Sequence, residues 1–128
     1  GLNNILEVKM QTKPKIKHYA EIPADKFGPE APGTAIRVLI NDENDGAPVY
    51  NLRMIEIEPG GNTPDHSHPF EHENFVVEGN GQVMIEGEFY DLKPGDVVLV
   101  PPDARHQYKN TGCNVFKFLC GVPVEKKR

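Results

Sequence analysis

The chain has 128 residues, two cysteines and a formal net charge of -5, and its length is that of one domain. The negative charge disfavours electrostatic binding of nucleic acid, and no apolar run approaches the roughly 18 residues of a membrane span. Two cysteines are too few for a disulfide framework, and the N-terminus lacks the charged and apolar regions of a signal peptide. We therefore expect a single-domain cytoplasmic protein without nucleic-acid or membrane partners.

The composition of the first 34 residues predicts an N-terminal arm. Lysines dominate residues 9–17, and proline and glycine, which break regular structure, recur in residues 23–33. The apolar, β-branched run from Ala35 to Ile40 predicts the first clear strand. We assign residues 1–34 to an N-terminal arm and irregular segment, 35–124 to the folded barrel, and 125–128 to a disordered tail.

Short runs with β character recur between turn signals in the rest of the chain. No helical periodicity lasts more than a turn. The pattern favours an all-β sandwich or barrel. Residues 79–81, Gly-Asn-Gly, predict a hairpin because both residue types tolerate the positive φ of tight turns. The predicted strands are residues 49–58, 73–78, 82–92, 97–100, a short strand from His106, and 113–120.

Four histidines lie at the ends of predicted strands. His66 and His68 are separated by one residue, so on an extended strand both side chains project from the same face. His72 precedes one strand and His106 begins another. Neutral imidazoles at the mouth of a barrel suit a divalent transition metal ion, although they discriminate poorly among such ions. An isolated His-x-His pair is also compatible with a chance grouping of surface histidines.

Two segments resemble the two sequence motifs of the cupin superfamily. The first runs from Gly60 to Gly79 and the second from Gly95 to Asn110. The matching positions are Gly60, His66, His68, position 72, Gly79, Gly95, Pro101, His106 and Asn110. The resemblance covers residues 35–123 and implies a double-stranded β-helix, or jelly roll, that is often dimeric and holds a metal ion inside the barrel.

The chain departs from the motifs at two positions. His72 replaces the ligand glutamate of the first motif, and the spacing to Gly79 favours His72 over the neighbouring Glu73 as the ligand. Asp103 replaces a glycine of the second motif, in a turn whose conformation aspartate often tolerates. The resemblance thus implies one divalent ion per chain on His66, His68, His72 and His106. Manganese is the first candidate, and iron, copper, nickel, cobalt and zinc also fit.

Alternation along the strands predicts which other side chains face this ion. From residue 53 to 58 the odd positions point inward, and Glu56 and Glu58 point to water. If His106 faces the metal, residue 108 shares its face. A solvated Lys117 places residues 116, 118 and 120 inside. We therefore predict a pocket of Arg53, Ile55, Tyr108, Phe116, Phe118 and Cys120.

Structural roles compete with functional ones at these positions. Arg53 can anchor an anionic substrate, but it can equally reach the barrel rim or pair with a glutamate. Tyr108 can satisfy its hydroxyl locally, and the two phenylalanines can be simple core. Cys120 is most simply a small buried hydrophobe. His18, outside both motifs, is interpreted as an arm residue.

The predicted site permits several functions. Four neutral ligands leave an octahedral ion its full charge and two open positions, which favours a metal-dependent oxidoreductase of the dioxygenase type on a small organic substrate. A non-enzymatic metal-dependent sensor or carrier is the alternative. An isomerase or decarboxylase is less favoured, because no ligand carboxylate serves as a general base. Exposed strand edges also predict a homodimer in which an N-terminal strand, such as Ala35 to Ile40, joins the partner's sheet.

Overall fold

The computed structural model describes residues 11–125. Predictions for residues 1–10 and 126–128, which include most of the expected tail, lie outside this range. The described chain folds mainly as strands, with one 3₁₀ turn at Tyr19–Glu21 and a single-turn helix, α1, at Asp42–Asp45. Its strands are β1 Asp25–Lys26, β2 Thr34–Ile40, β3 Tyr50–Ile57, β4 His72–Glu78, β5 Gly81–Ile85, β6 Glu88–Leu92, β7 Val97–Val100, β8 His106–Lys109 and β9 Phe116–Pro123. Neither helical turn is long or apolar enough to cross a membrane.

The strands form two antiparallel sheets. One sheet has the order β1-β2-β3-β9-β4-β7, and the other has the order β6-β5-β8. Three neighbouring pairs in the larger sheet, β3-β9, β9-β4 and β4-β7, join strands that are not consecutive in sequence, which is typical of a jelly roll. The predicted all-β jelly-roll fold is therefore confirmed.

The core lies between the two sheets. Ile57, Val76 and Phe116 are fully buried there, and Phe118 is 2% exposed. Each of these side chains alternates along its strand with a more exposed neighbour, as expected for one buried sheet face. Burying such a side chain contributes about 1.5–3 kcal/mol of stability, so this layer anchors the strands that carry the histidines.

The outer face of the larger sheet is less exposed than the alternation predicted. Glu56 forms an ion pair with Arg37 at 2.6 Å, and the side chain of Lys117 is only 16% exposed, with Nζ donating to the hydroxyl of Tyr19 at 3.2 Å. The prediction that Glu56 and Lys117 face water is therefore wrong. The cause is the N-terminal segment, whose Tyr19 lies over this face, beside Lys117.

The predicted hairpin at residues 79–81 is also wrong. Strands β4 and β5, which flank it, belong to different sheets, so this turn carries the chain from one sheet to the other. Gly79 still has the expected positive φ of 76°. The hairpin lies instead between β5 and β6, where Glu86 and Gly87 have φ values of 50° and 81°.

The strand expected to join a partner's sheet lies in the sheet of its own chain. Strand β2 pairs with β3 along most of its length. Its other edge pairs with β1, but only through Asp25 and Lys26. Most of that edge is therefore not paired with another strand among residues 11–125.

Candidate metal centre

The fold brings the four predicted histidines together. One ligand nitrogen from each lies within 4.8 Å of those of the other three. His72 begins β4 and His106 begins β8. His66 is fixed by two backbone hydrogen bonds with His106, of 3.2 and 2.9 Å.

The turn of the second motif holds the loop that carries His68. Asp103 has a φ of 66°, in the left-handed region that favours glycine, so the aspartate adopts the conformation of the glycine it replaces. Its backbone N–H donates to the carbonyl of His68 at 2.7 Å. Aspartate at this position is therefore compatible with the left-handed backbone of the turn.

Backbone carbonyls fix the orientation of two imidazole rings. Nδ1 of His68 donates to the carbonyl of Phe70 at 2.7 Å, and Nδ1 of His106 donates to that of Ala104 at 2.8 Å. Because Nδ1 carries the proton in both rings, Nε2 has the free lone pair. This is the arrangement that orients metal-binding histidines in proteins.

Some Nε2 atoms of the cluster lack the hydrogen-bond partners that buried polar atoms usually have. Nε2 of His106 is buried and has no hydrogen-bond partner in the described part of the chain. Nε2 of His68 and Nε2 of His72 lie 2.7 Å apart, so this contact needs either one proton between the two nitrogens or a cation that both coordinate. Buried polar atoms are rarely left without a partner. The donor set therefore fits a divalent transition metal ion.

Burial favours the neutral form of three imidazoles in the cluster. Desolvation is the largest effect that lowers the pKa of His66 and His106, and with the nearby charge of Arg53 it lowers the pKa of His72 to about 3. A neutral imidazole is the form that coordinates a metal ion. At neutral pH these three histidines therefore present lone pairs without first losing protons.

A cavity of about 140 Å³ lies against the histidines. Five of the six predicted pocket residues line it, namely Arg53, Ile55, Tyr108, Phe118 and Cys120. The sixth prediction is corrected: Phe116 is fully buried in the core beside Gly81 and does not contribute to the cavity wall.

Further lining residues were not predicted from the sequence. They are Phe27, Thr63, Pro64, Phe70 and Asn74. Asn74 lies two residues after His72 on the same strand, so the alternation of β4 could have indicated it. Phe27 comes from the segment assigned to the irregular arm, and no periodic pattern marks it.

Arg53, Cys120 and His72 are connected at one side of the cavity. Nη2 of Arg53 donates to Sγ of Cys120 at 3.1 Å, and the same sulfur lies 3.1 Å from Nδ1 of His72. Nε of Arg53 is buried without a partner. The interpretation of Cys120 as a simple hydrophobe is therefore corrected, because its thiol has polar contacts with a cation and with an imidazole of the cluster.

Tyr108 has a structural role. Its hydroxyl donates to Oδ1 of Asn74, and its ring stacks on Phe118 with centroids 4.3 Å apart. Burial raises the pKa of Tyr108, so the phenol keeps its proton. His18 lies outside the site, where its side chain caps the 3₁₀ turn.

Comparison with known families agrees with the geometry. The sequence profile of the cupin domain matches residues 53–122, which is more than half of the 128-residue chain. This chain is a cupin. Three of the four clustered histidines belong to the first cupin motif identified in the sequence, and His106 belongs to the second.

Similar proteins include enzymes of different kinds. The structure of the polyketide cyclase RemF from Streptomyces resistomycificus superposes with a TM-score of 0.82 at 29% identity, covering 91% of this cupin and 83% of RemF. The polyketide synthase CurC of Streptomyces cyaneus is 31% identical over 62% of this chain, and the match spans 53% of CurC. The 5-nitrosalicylic acid 1,2-dioxygenase of a Bradyrhizobium species is 38% identical over 44% of this chain, but only 27% of that enzyme is covered.

Proposed function

We propose that this cupin is a metal-dependent oxidoreductase of the dioxygenase type, acting on a small organic substrate inside the barrel. His66, His68, His72 and His106 hold one divalent transition metal ion per chain. The observation that carries the proposal is the buried Nε2 of His106, which has no partner within a cluster of neutral imidazoles. A bound redox-active ion would supply the one-electron chemistry needed to activate oxygen, together with Lewis acidity toward an oxygen donor.

The cavity supports a substrate of about one ring. Its volume of about 140 Å³ is close to that of an apolar cavity of about 150 Å³ that binds benzene. Ile55 and Phe118 form apolar walls that exclude water around a substrate. No aspartate or glutamate lines the cavity within residues 11–125, so the site has no carboxylate to shuttle protons. This disfavours isomerase and decarboxylase chemistry.

The metal is part of the proposal. Manganese is the first candidate, followed by iron, copper, nickel, cobalt and zinc. Because the donors are all imidazoles, we expect affinity to rise from manganese toward copper, with zinc below copper. Availability in the cell, rather than affinity alone, therefore decides which ion the protein carries. Elemental analysis of untagged protein from its native host would identify it.

Oxygen consumption tests the proposed chemistry. The protein is loaded in turn with manganese, iron and copper and assayed in an oxygen electrode against small phenols, hydroxybenzoates and alkenes. Substrate-dependent oxygen uptake by a loaded form, absent from the zinc form and from His106→Ala, would support the proposal. Stoichiometric metal binding without turnover across the panel would favour a non-enzymatic sensor or carrier.

Cyclisation is a second candidate, favoured by the similarity to RemF over most of this chain. In that case an ion held by the four histidines would supply only Lewis acidity, and the reaction would consume no dioxygen. A polyketide chain is longer than the cavity, so most of it would extend through the open mouth. The two candidates differ under anaerobic conditions, where a cyclase retains its activity and a dioxygenase does not.

We also propose that the protein is a homodimer. Large apolar side chains are exposed on the outer face of β4 and β7, where Phe75 is directly opposite Val97. This apolar face comprises Phe75, Val77, Val97 and Leu99, which are 46%, 42%, 75% and 59% exposed. A contiguous apolar patch on a sheet surface is typical of a protein interface. A second copy of the chain is the partner we propose for it.

A further inference from the structure

Arg53 lines the cavity and carries a hydrogen-bond donor without a partner among residues 11–125. One of its terminal nitrogens donates to the sulfur of Cys120, a weak acceptor. Its Nε–H is buried and has no partner. The guanidinium therefore lies beside the histidine cluster with a strong donor still to be satisfied.

The charge of Arg53 is also uncompensated. The other two arginines of the described chain have carboxylate partners, since Arg37 pairs with Glu56 at 2.6 Å and Arg105 pairs with Asp65 at 2.5 Å. Arg53 has no such ion pair among residues 11–125. Arg53 is half-buried, and a cation partly removed from water without an anion is unfavourable, so an anionic ligand that reached it would be bound favourably.

The metal ion adds to this imbalance. Because no carboxylate of residues 11–125 lies in the cavity wall, a divalent ion on the histidines and Arg53 together would place three positive charges around one small space. Only ligands that enter from outside can offset this charge. Positive potential in a cavity with apolar walls concentrates anions of matching size.

We propose that the cavity binds a small organic carboxylate and that Arg53 is the residue that selects it, an inference that rests on the metal-dependent function proposed above. The planar guanidinium matches the geometry of a carboxylate, which can accept hydrogen bonds from two of its N–H groups. The apolar walls of Ile55, Phe118 and Phe27 suit a hydrocarbon or aromatic body of about one ring. The substrate is therefore an amphipathic monoanion.

Phosphate is a poorer match for the same cavity. A phosphate group typically requires several converging donors, whereas Arg53 is the one lysine or arginine side chain in the cavity wall among residues 11–125. Asn74 is already engaged, since its amide donates to Leu119 and accepts from Tyr108. Inorganic phosphate is accordingly the discriminating probe in the experiment that follows.

Calorimetric titration of the zinc-loaded protein tests this assignment without any turnover. The probes are benzoate and 2-hydroxybenzoate, the neutral analogue benzamide, and inorganic phosphate. The variants are Arg53→Met, which removes the charge and keeps an apolar stem, and Arg53→Lys, which keeps the charge and loses the planar donors. Lys109→Met, on the exposed side of β8, is the matched control because it changes the net charge equally.

We expect the wild-type protein to bind a carboxylate with one site per chain and at least about tenfold more tightly than benzamide. Arg53→Met should weaken carboxylate binding by about 10- to 100-fold, the usual contribution of a charge-assisted hydrogen bond, and leave benzamide unchanged. The carboxylate affinity of Arg53→Lys should lie between those of the wild type and Arg53→Met. Lys109→Met should bind as the wild type does.

Three results would overturn the assignment: no carboxylate binding by the wild type, equal affinity for benzoate and benzamide, or tighter binding of phosphate than of either carboxylate. Unchanged benzoate affinity in a folded Arg53→Met variant would do the same. The comparison of benzoate with benzamide uses only wild-type protein, so the test holds even if a variant fails to fold. Repeating it on metal-free protein separates this inference from the metal proposal, because the dependence on Arg53 should persist there.

Discussion

The sulfur of Cys120 lies 3.1 Å from Nδ1 of His72 and 3.1 Å from Nη2 of Arg53. Cys120 lies on β9, the strand that pairs with β4. Strand β9 thus supplies the contact that holds the ring of His72 in place. His68 and His106 receive the same support from backbone carbonyls. Three of the four rings therefore have their Nδ1 atoms fixed before any ion binds.

Removing the thiol should loosen the site. We expect Cys120→Ala to weaken metal binding by about 10- to 100-fold, because partners of ligand imidazoles typically contribute that much to affinity. Cys120→Ser, which keeps a hydrogen-bonding atom, should retain most of the metal affinity. The exposed Cys113 gives the matched control, Cys113→Ala. Chelator competition with zinc measures the affinities, and wild-type affinity in Cys120→Ala would show that β9 does not position His72.

The metal-free protein should lose stability as the pH falls below about 6.5. The unfolded chain takes up protons near this ordinary histidine pKa, whereas burial lowers the pKa of His66, His72 and His106 in the folded state. Above pH 7 neither state is protonated, so the histidines add no pH dependence. Below 6.5 the unfolded state binds more protons, and each histidine removes up to about 1.4 kcal/mol per pH unit until its folded pKa, about 3 for His72, is reached.

Urea unfolding of metal-free protein between pH 7.5 and 5 measures this loss while carboxylate titration contributes little. His72→Gln should give a shallower slope. A stability that stays constant from pH 7.5 to 5 would contradict the assignment of buried neutral imidazoles.

Two glycines with similar backbone conformations should respond differently to alanine. Gly79 and Gly87 have φ values of 76° and 81°, so alanine at either position costs about 1–2 kcal/mol. A Cβ at Gly79 would lie only 2.2 Å from the carbonyl oxygen of Val115, whereas nothing lies within 4 Å of one at Gly87. Gly79→Ala should therefore reduce the free energy of unfolding by about 1–3 kcal/mol more than Gly87→Ala does. Equal unfolding free energies for the two variants would exclude the close approach of β9 to this turn.

A charge on the apolar face of β4 and β7 should disrupt the proposed homodimer. Val97 is 75% exposed, so lysine there is tolerated by a monomer but unfavourable inside an interface. Val49, 67% exposed and near the start of β3, gives the control variant Val49→Lys. Light scattering after size exclusion should report a dimer for the wild type and Val49→Lys and a monomer for Val97→Lys. A monomeric wild type, or a dimeric Val97→Lys, would remove this face as the interface.

Much of the site follows from local spacing. The motif spacing indicated all four clustered histidines, and the period of two along a strand placed Ile55, Tyr108 and Phe118 on the inner face. These inferences hold because the side chains of a strand alternate whatever the strand pairs with. The same rule failed at Phe116, since an inward direction does not say which layer of the barrel a side chain occupies.

Other features depend on contacts between distant parts of the chain. Glu56 and Lys117 are covered because Arg37 and Tyr19 pack over the sheet. The local sequence patterns of β3 and β9 do not predict these contacts. The turn at residues 79–81 has the backbone conformation that its residues favour. Whether the strand after this turn stays in the same sheet or enters the other one is decided by the packing of the whole barrel. Phe27 reaches the cavity for the same non-local reason.

The central claim is that four histidines hold one metal ion, and elemental analysis tests it most directly. The untagged wild type, His66→Ala, His106→Ala and the control His18→Ala are purified identically, equilibrated with zinc and freed of excess metal. We predict about one ion per chain in the wild type and in His18→Ala, and loss of stoichiometric zinc in both site variants while they remain folded. Full occupancy in both His66→Ala and His106→Ala would contradict the four-histidine centre.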